Sequence, residues 1–363
     1  MSDLLAATLK HLAALVSFDT RNPPRAIAEE DSIFGYLRAQ LPGFDVEVID
    51  HGAGAVSFFA VRGKPKFLFN VHLDTVPDSP HWSADPHVLR VTEDRAIGLG
   101  ACDIKGAAAG LVAAANVTNS DAAFLFTTDE EANDPRCIAA FLQRNHGFRD
   151  VVVAEPTKGQ AVLAHRGISA VQMTFHGVAG HASGAQAMQS SALHQTVRWG
   201  ARALDFVQSH DDEEFGGLRG LRFNIGRVDG GIKANVIAPR ADVRFGFRPL
   251  PSQDMGALHA QFREFAGVGV DYEEIFHGAS LPAGAANEAE TRRRDAQAFA
   301  ESLQLPIGPA VDFWTEAALF SQAGMNAIVY GPGDIAQAHA ADEWVSLQQL
   351  SEVVSRYHQL MEQ

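Results

Sequence analysis

Short apolar runs recur along this chain, and several break off on a histidine or an acid. Phe67-Leu68-Phe69-Asn70-Val71 leads to His72, and Val151-Val152-Val153-Ala154 leads to Glu155. Phe124-Leu125-Phe126-Thr127-Thr128-Asp129-Glu130 leads to Glu131, and Gly98-Leu99-Gly100-Ala101-Cys102 leads to Asp103. Ala327-Ile328-Val329-Tyr330 runs through a Gly331-Pro332-Gly333 turn toward His339. Runs of this kind read as buried parallel strands, covered on both faces. In open α/β sheets, ligands gather beyond the carboxyl ends of such strands. Two imidazoles and three carboxylates collected there suit one or two divalent cations.

With 363 residues, 46% of them hydrophobic, the chain can bury a large core in one large or two ordinary domains. Its formal charge of −15 disfavours nucleic acid and anionic membrane as partners. The two cysteines, Cys102 and Cys137, are too few for a disulfide framework and fit a reducing compartment. Both read as small buried residues, with Cys102 as a soft ligand the lesser alternative. Leu5, Leu9, Leu12 and Val16 recur at helical spacing around Lys10 and His11, so the chain opens on an amphipathic helix rather than a signal sequence. No run approaches the ~20 apolar residues of a membrane span. A cytoplasmic location is expected.

The spacing predicts that this helix ends before Asn22-Pro23-Pro24, and that a second covers Ile27 to Gln40. Strands are expected at Val46–Ile49, Val56–Val61, Phe67–Val71, Ala122–Thr127 and Val151–Ala154. Helices are expected at Gly106–Val117 and near Cys137–Arg144. This alternation argues for an α/β fold, a mixed and largely parallel sheet with helices on both faces. The texture changes near Arg166. Strands at Ile168–His176, Leu221–Val228, Val236–Ile237, Ala241–Phe247 and Val268–Ile275 join helices at Ala187–Val207 and Ser252–Phe265 in an α+β pattern with one polar sheet face. Residues 166–278 thus read as an inserted domain of about 110 residues. Residues 1–165 and 279–363 form the metal-binding domain that it interrupts.

Each acid or histidine has a bland alternative. His72 and Asp74, two apart at a strand end, point to the same side, and a ligating imidazole usually has its other N–H held by a carboxylate. The same Asp74-Thr75-Val76-Pro77 is also ordinary turn sequence. Asp103, at the mouth of the following helix, could simply cap it. Asp129-Glu130-Glu131 would repel one another, and a bound dication would relieve that repulsion. One glutamate could ligate while its neighbour acts as a base; the alternative is a solvated acidic loop. Glu155 could be an exposed strand end, and His339 an inconsequential loop histidine. What is specific is their joint occurrence, in order.

Taken together, the stretches HLDTVP (72–77), GLGACDIKG (98–106), TTDEE (127–131), AEPT (154–157), GHAS (180–183), KANVIAP (233–239), FRPLP (247–251) and GPG followed by AH (331–339) carry a resemblance. The chain resembles the metal-dependent aminoacylase and carboxypeptidase (M20) family, which includes acetylornithine deacetylases, desuccinylases and glutamate-releasing carboxypeptidases. The motifs span most of the chain, and their ordered combination is highly specific. Two positions depart from the pattern: Leu99 stands where many relatives have arginine, and Ala182 where serine is common. Neither removes a ligand.

The resemblance implies roles. Asp103 would bridge two metals, with His72 and Glu155 completing one shell and Glu131 and His339 the other. Zinc or cobalt is expected first, as one or two ions. Glu130 would be the general base and then the acid. His181 would stabilise the oxyanion, and in dimeric relatives that histidine comes from the partner subunit. Asn235 and Arg248 would hold the substrate's amide and α-carboxylate. Residues within the insert could otherwise be a loop histidine, a turn cap and a surface arginine. The insert would be a lid and dimerisation domain, making a homodimer. The peptide bond after Asp103 would be cis. The reaction implied is hydrolysis of an N-acetylated amino acid, N-acetyl-L-citrulline or N-acetyl-L-ornithine, in arginine biosynthesis. The same scaffold would also serve a desuccinylase, a dipeptidase, a broad aminoacylase or a catalytically inactive binding homologue.

Overall fold

The structure, a computed structural model, describes residues 3–24, 27–132 and 134–363. It divides into two units: residues up to Leu163 with Arg294–Gly308 and Thr315–Gln363, and Ala164–Arg293 with Pro309–Trp314.

The first unit is built on a six-stranded sheet. In chain order its strands are β1 (Asp45–Asp50), β2 (Val56–Arg62), β3 (Leu68–His72), β4 (Ala122–Thr127) and β5 (Asp150–Val153), and a last strand follows the second unit. The second unit supplies β6 (Ile168–His176), β7 (Arg222–Gly230), β8 (Arg240–Arg248) and β9 (Asp271–Gly278), and β10 (Asn326–Val329) closes the first sheet. The spatial order there is β1-β2-β4-β3-β5-β10. The β4, β3, β5 and β10 strands pair in parallel, while β1 and β2 add an antiparallel edge.

Every residue of β3 and β4 is buried, so both faces of the sheet are covered. On one face Phe58, Phe69, Phe124 and Phe126 meet in edge and tilted contacts. Fully burying one such ring contributes about 1.5–3 kcal/mol. Three helices pack on one another over this core: α1 (Asp3–Ser17), α2 (Lys105–Ala115) and α3 (Leu347–Met361). The middle one is alanine-rich and buried along its whole length, because only small side chains fit between two helices and a sheet. The shorter helices Arg136–Leu142 and Ala317–Gln322 pack on each other and against β2, β5 and β10.

The second unit has a four-stranded antiparallel sheet in the order β7-β8-β6-β9. Helices Ala192–Gln208 and Met255–Ala266 cover one face, around Trp199, Phe245, Phe247 and Phe262. Burial alternates along β8, as expected for a sheet with one open polar face.

Four local expectations need correction. The second helix starts at Ser32, not Ile27, because Asp31 and Ala28 bond to one another in a turn. The helix expected over Ala187–Val207 breaks at Ser191, whose extended backbone and hydroxyl cap the helix that follows. Val236–Ile237 is not a strand; Ile237 N–H bonds Gly180 instead, leaving an isolated bridge. Asp103 caps no helix: α2 begins after Ile104, whose position has no side-chain cap, and the preceding segment is a turn rather than a sheet strand. Among the described residues, no helix is long and apolar enough to cross a membrane.

Candidate metal centre

Parallel register sets the geometry. Asn70 pairs with Val153, and the Ala154 N–H continues the ladder to the Asn70 carbonyl at 2.8 Å. Two residues further along each strand, His72 and Glu155 come side by side, with Nε2 and Oε1 3.9 Å apart. His72 also pairs with Thr127, which aligns the Asp129-Glu130-Glu131 turn with the same sheet end. His72 and Glu155 are buried.

Asp103 faces both histidines. Its Oδ1 lies 3.1 Å from His72 Nε2, and its Oδ2 lies 3.3 Å from His339 Nε2. His339 Nε2 is also 2.9 Å from Glu131 Oε1. Two groups of metal-type donors result, His72–Asp103–Glu155 and Asp103–Glu131–His339, each with its donor atoms within 4.8 Å of one another. The first is buried, and the second opens outward at the exposed His339. The turn that brings His339 here needs Gly333, with φ +96° and a Cβ position only 2.6 Å from Cys102 Sγ. His339 itself adopts a left-handed backbone, φ +55°. The Asp103–Ile104 peptide is cis.

The tautomer of His72 follows from its neighbours. Its Nδ1 lies 3.0 Å from the Asp74 backbone carbonyl, which only accepts, so Nδ1 carries the proton and Nε2 faces the acids. The Asp74 carboxylate stands slightly farther, at 3.4 Å, and accepts the Glu131 N–H at 3.0 Å. Asp74 therefore ties the His72 strand end to the Glu131 turn, more than the simple carboxylate–imidazole pair expected from sequence.

Electrostatics match a cation site. Burial lowers the proton affinity of His72, but Asp103 and Asp74 outweigh it and leave it well above the ordinary imidazole value. Hydrogen bonds to Asp103 and Glu131 push His339 up to about 11. Burial would raise Asp103, yet His339 and His72 hold it low. Burial raises Glu130, Glu131 and Glu155, the nearby acids adding to it. This excess of buried negative charge is relieved by positive charge between the acids, and the nitrogen and oxygen donors fit a divalent metal ion.

Glu130 is half-buried beside the triads, and among the described residues its carboxylate accepts no hydrogen bond. Two further acids were not singled out from sequence. Glu343 is buried, and its carboxylate accepts the N–H groups of Gly100, Cys102 and Asp103 at 2.8–2.9 Å. Glu316 is buried and accepts the Thr127 hydroxyl at 3.0 Å. Nothing local marked either one; only the Asp342-Glu343 pair shortly after His339 hinted at the first.

In the second unit, His181 is exposed on a loop clamped to the Asn235 loop by Ala182 N–H to Asn235 O and Ile237 N–H to Gly180 O. Its Nδ1 receives the Ser183 N–H at 3.3 Å and lies 2.7 Å from the Ser183 hydroxyl. A neutral His181 therefore carries its proton on Nε2. Asn235 is exposed and Arg248 half-buried at the end of β8, its proton affinity lowered by burial.

Residues 68–363 match the model of peptidase family M20/M25/M40. The chain belongs to this family. It is 68% identical to an N-acetyl-L-citrulline deacetylase of Xanthomonas campestris pv. campestris, over 99% of both chains. An acetylornithine deacetylase of Myxococcus xanthus is 29% identical, over 96% of this chain and 95% of that one. The fold is similar to an M20 metallo-carboxypeptidase of Sulfolobus solfataricus, with TM-score 0.74 and 15% identity over 100% and 99% of the two chains. It is also similar to a dinuclear metal-binding M20 peptidase of Bacillus subtilis, with TM-score 0.66 and 14% identity over 99% and 97%.

Proposed function

We propose that this M20 protein hydrolyses the amide of N-acetyl-L-citrulline to acetate and L-citrulline, in arginine biosynthesis in the cytoplasm. N-acetyl-L-ornithine is the second candidate substrate. The observation that carries the proposal is the pair of triads sharing Asp103, with Glu130 one residue before a ligand position. Similarity over nearly the whole length of a deacetylase supports the choice of substrate. An inactive binding homologue would have no use for five converging donors and a free neighbouring carboxylate.

Five residues would hold the ions: Asp103 between both, His72 and Glu155 on one side, Glu131 and His339 on the other. Zinc or cobalt suits these donors, and when bound such ions supply Lewis acidity at neutral pH. Glu130 takes a proton from the attacking water and delivers it to the departing amine nitrogen, help typically worth ~10²–10⁴-fold. Asp74 keeps His72 and the Glu131 turn in place. His181 donates its Nε2–H to the developing oxyanion, a contact whose loss costs roughly 10²–10³ in turnover. Asn235, on the loop clamped to His181, holds the substrate amide with it. Because Arg248 lies at the opposite end of β8, the copy supplying that pair is the dimer partner of the copy whose Arg248 grips the α-carboxylate in a forked pair of hydrogen bonds.

The second unit acts as lid and dimerisation domain. β7 is an edge strand with one bonded neighbour among the described residues. Val228 on it, Ile232 after it, and Val197 and Leu204 on the Ala192–Gln208 helix expose apolar surface. A second copy of this chain would cover them by pairing edge to edge.

The test is acetate release from N-acetyl-L-citrulline after chelation and resupply of zinc or cobalt. Activity lost on chelation and restored by metal is expected. No metal-restored hydrolysis of either acetylated amino acid would overturn the proposal.

A further inference from the structure

His339 is the exposed member of the outer triad, Asp103–Glu131–His339, and little regular structure holds it. Residues 338–343 form neither helix nor strand; they join the single helical turn Ile335–Gln337 to the short strand Trp344–Ser346. His339 and Asp342 both take left-handed backbone, φ +55° and φ +56°. Residues other than glycine seldom do so, and stay there only where their surroundings hold them. For Asp342 its own carboxylate does this. One oxygen, Oδ1, accepts the Ser83 N–H at 3.2 Å, the Ser83 hydroxyl at 2.8 Å and an Arg90 guanidinium N–H at 2.6 Å.

These partners are fixed in turn. Arg90 begins the strand Arg90–Val91, and Ile97 of the strand Arg95–Ile97 lies opposite both Arg90 and Trp344. The Asp342 carboxylate, two residues before Trp344, thus spans this small three-stranded sheet from one outer strand to the other. The next residue, Glu343, is instead buried against the Asp103 loop, so Asp103 has an anchor of its own. On the other flank of His339, Asp334 caps the Ile335–Gln337 turn and pairs with Lys158 at 2.6 Å. Asp334 also bridges to Thr157, two residues past Glu155, so a change there would reach both triads.

We propose that Asp342 is a positioning residue that sets how tightly the outer triad holds its metal ion while leaving the inner triad, His72–Asp103–Glu155, unaffected. The assignment rests on the two-ion site proposed above. The Asp342 and Arg90 side chains are each 37% exposed, so their ion pair adds little to global stability. Its effect is local. It fixes the backbone three residues from His339 and removes freedom that the loop would otherwise lose on binding an ion. The inner triad needs no such clamp, because parallel register sets His72 and Glu155.

The experiment equilibrates metal-loaded wild type, Asp342→Ala, Asp342→Asn and Arg90→Gln in chelator-buffered zinc and counts bound metal against free zinc. Asp342→Ala is expected to weaken the outer ion by about tenfold or more, with the inner ion and the urea midpoint near those of wild type. Arg90→Gln should act in the same direction by less. Asp342→Asn keeps an acceptor oxygen and should recover part of the loss. In a His339→Ala background, Asp342→Ala should change nothing further, because the two residues act on one ion. Unchanged zinc curves, equal weakening of both ions, or a loss that persists without His339 would overturn the assignment. If Asp342→Ala does not fold, Arg90→Gln decides alone. If wild type holds a single ion, that ion must be lost in His339→Ala and weakened in Asp342→Ala, or the assignment falls. A wild type that binds no zinc defeats the metal site itself and this role with it. Two ions in wild type with an unaffected outer one defeat only the role of Asp342.

Discussion

Glu343 holds Asp103 by its backbone: the Glu343 carboxylate accepts the Asp103 N–H at 2.9 Å, while the Asp103 carboxylate is left to face His72 and His339. The same acid takes the N–H groups of Gly100 and Cys102, so one side chain fixes the loop that carries the shared aspartate. Glu343→Ala would leave three buried donors without partners, each costing about 1–3 kcal/mol where water cannot replace the acceptor. Glu343→Gln keeps one oxygen and should lose less. Denaturant unfolding and zinc affinity should fall in the order wild type, Glu343→Gln, Glu343→Ala. Equal values in wild type and Glu343→Ala would contradict this role.

Glu130 stands outside both triads, so its removal should separate chemistry from metal binding. Glu130→Ala is expected to lower turnover by about 10²–10⁴-fold or more while metal content stays near that of wild type. Elemental analysis and steady-state assays on the same preparation check this. A folded variant with wild-type turnover would remove Glu130 from the mechanism.

Glu316 should leave a signature in stability against pH. Burial, reinforced by the Asp129 charge, raises its pKa to about 8 from 4.5. Between those values the native protein keeps a proton that the unfolded chain releases, so this group's contribution is full below about 4.5 and is lost as pH rises toward about 8. Glu316→Gln stays neutral throughout. Its stability relative to wild type should therefore rise from about pH 5 to about pH 8 in urea unfolding. A difference that stays flat, or runs the other way, would show that Glu316 does not titrate in this window.

Assembly is checked by sedimentation. A dimer is expected, and Val197→Glu with Leu204→Glu on the exposed stripe of the Ala192–Gln208 helix should yield a folded monomer. A wild-type monomer with full activity at assay concentration would refute the interface.

The strands around the candidate metal centre were legible because a fully buried parallel strand admits few residue types, and β3 ends on His72 while Glu155 closely follows β5. Ala122–Thr127 and Ile168–His176 are strands at the bounds expected from pattern alone. Local pattern failed where tertiary bonds decide. Val236–Ile237 has strand-like residues, yet its N–H partner lies on the His181 loop. Ser191 reads as mid-helix until its hydroxyl is seen to start a new one. Glu343 and Glu316 were overlooked for the same reason, since a buried acid is recognised by the distant N–H or hydroxyl that it binds.

The sharing of Asp103 between two triads is tested most directly by counting bound metal in three alanine variants. Wild type should bind about two zinc equivalents, one per triad. His339→Ala should keep about one, in the buried triad of His72 and Glu155. Asp103→Ala should lose tight binding at both. An Asp103→Ala protein that still holds one or two tightly bound ions would contradict the shared aspartate.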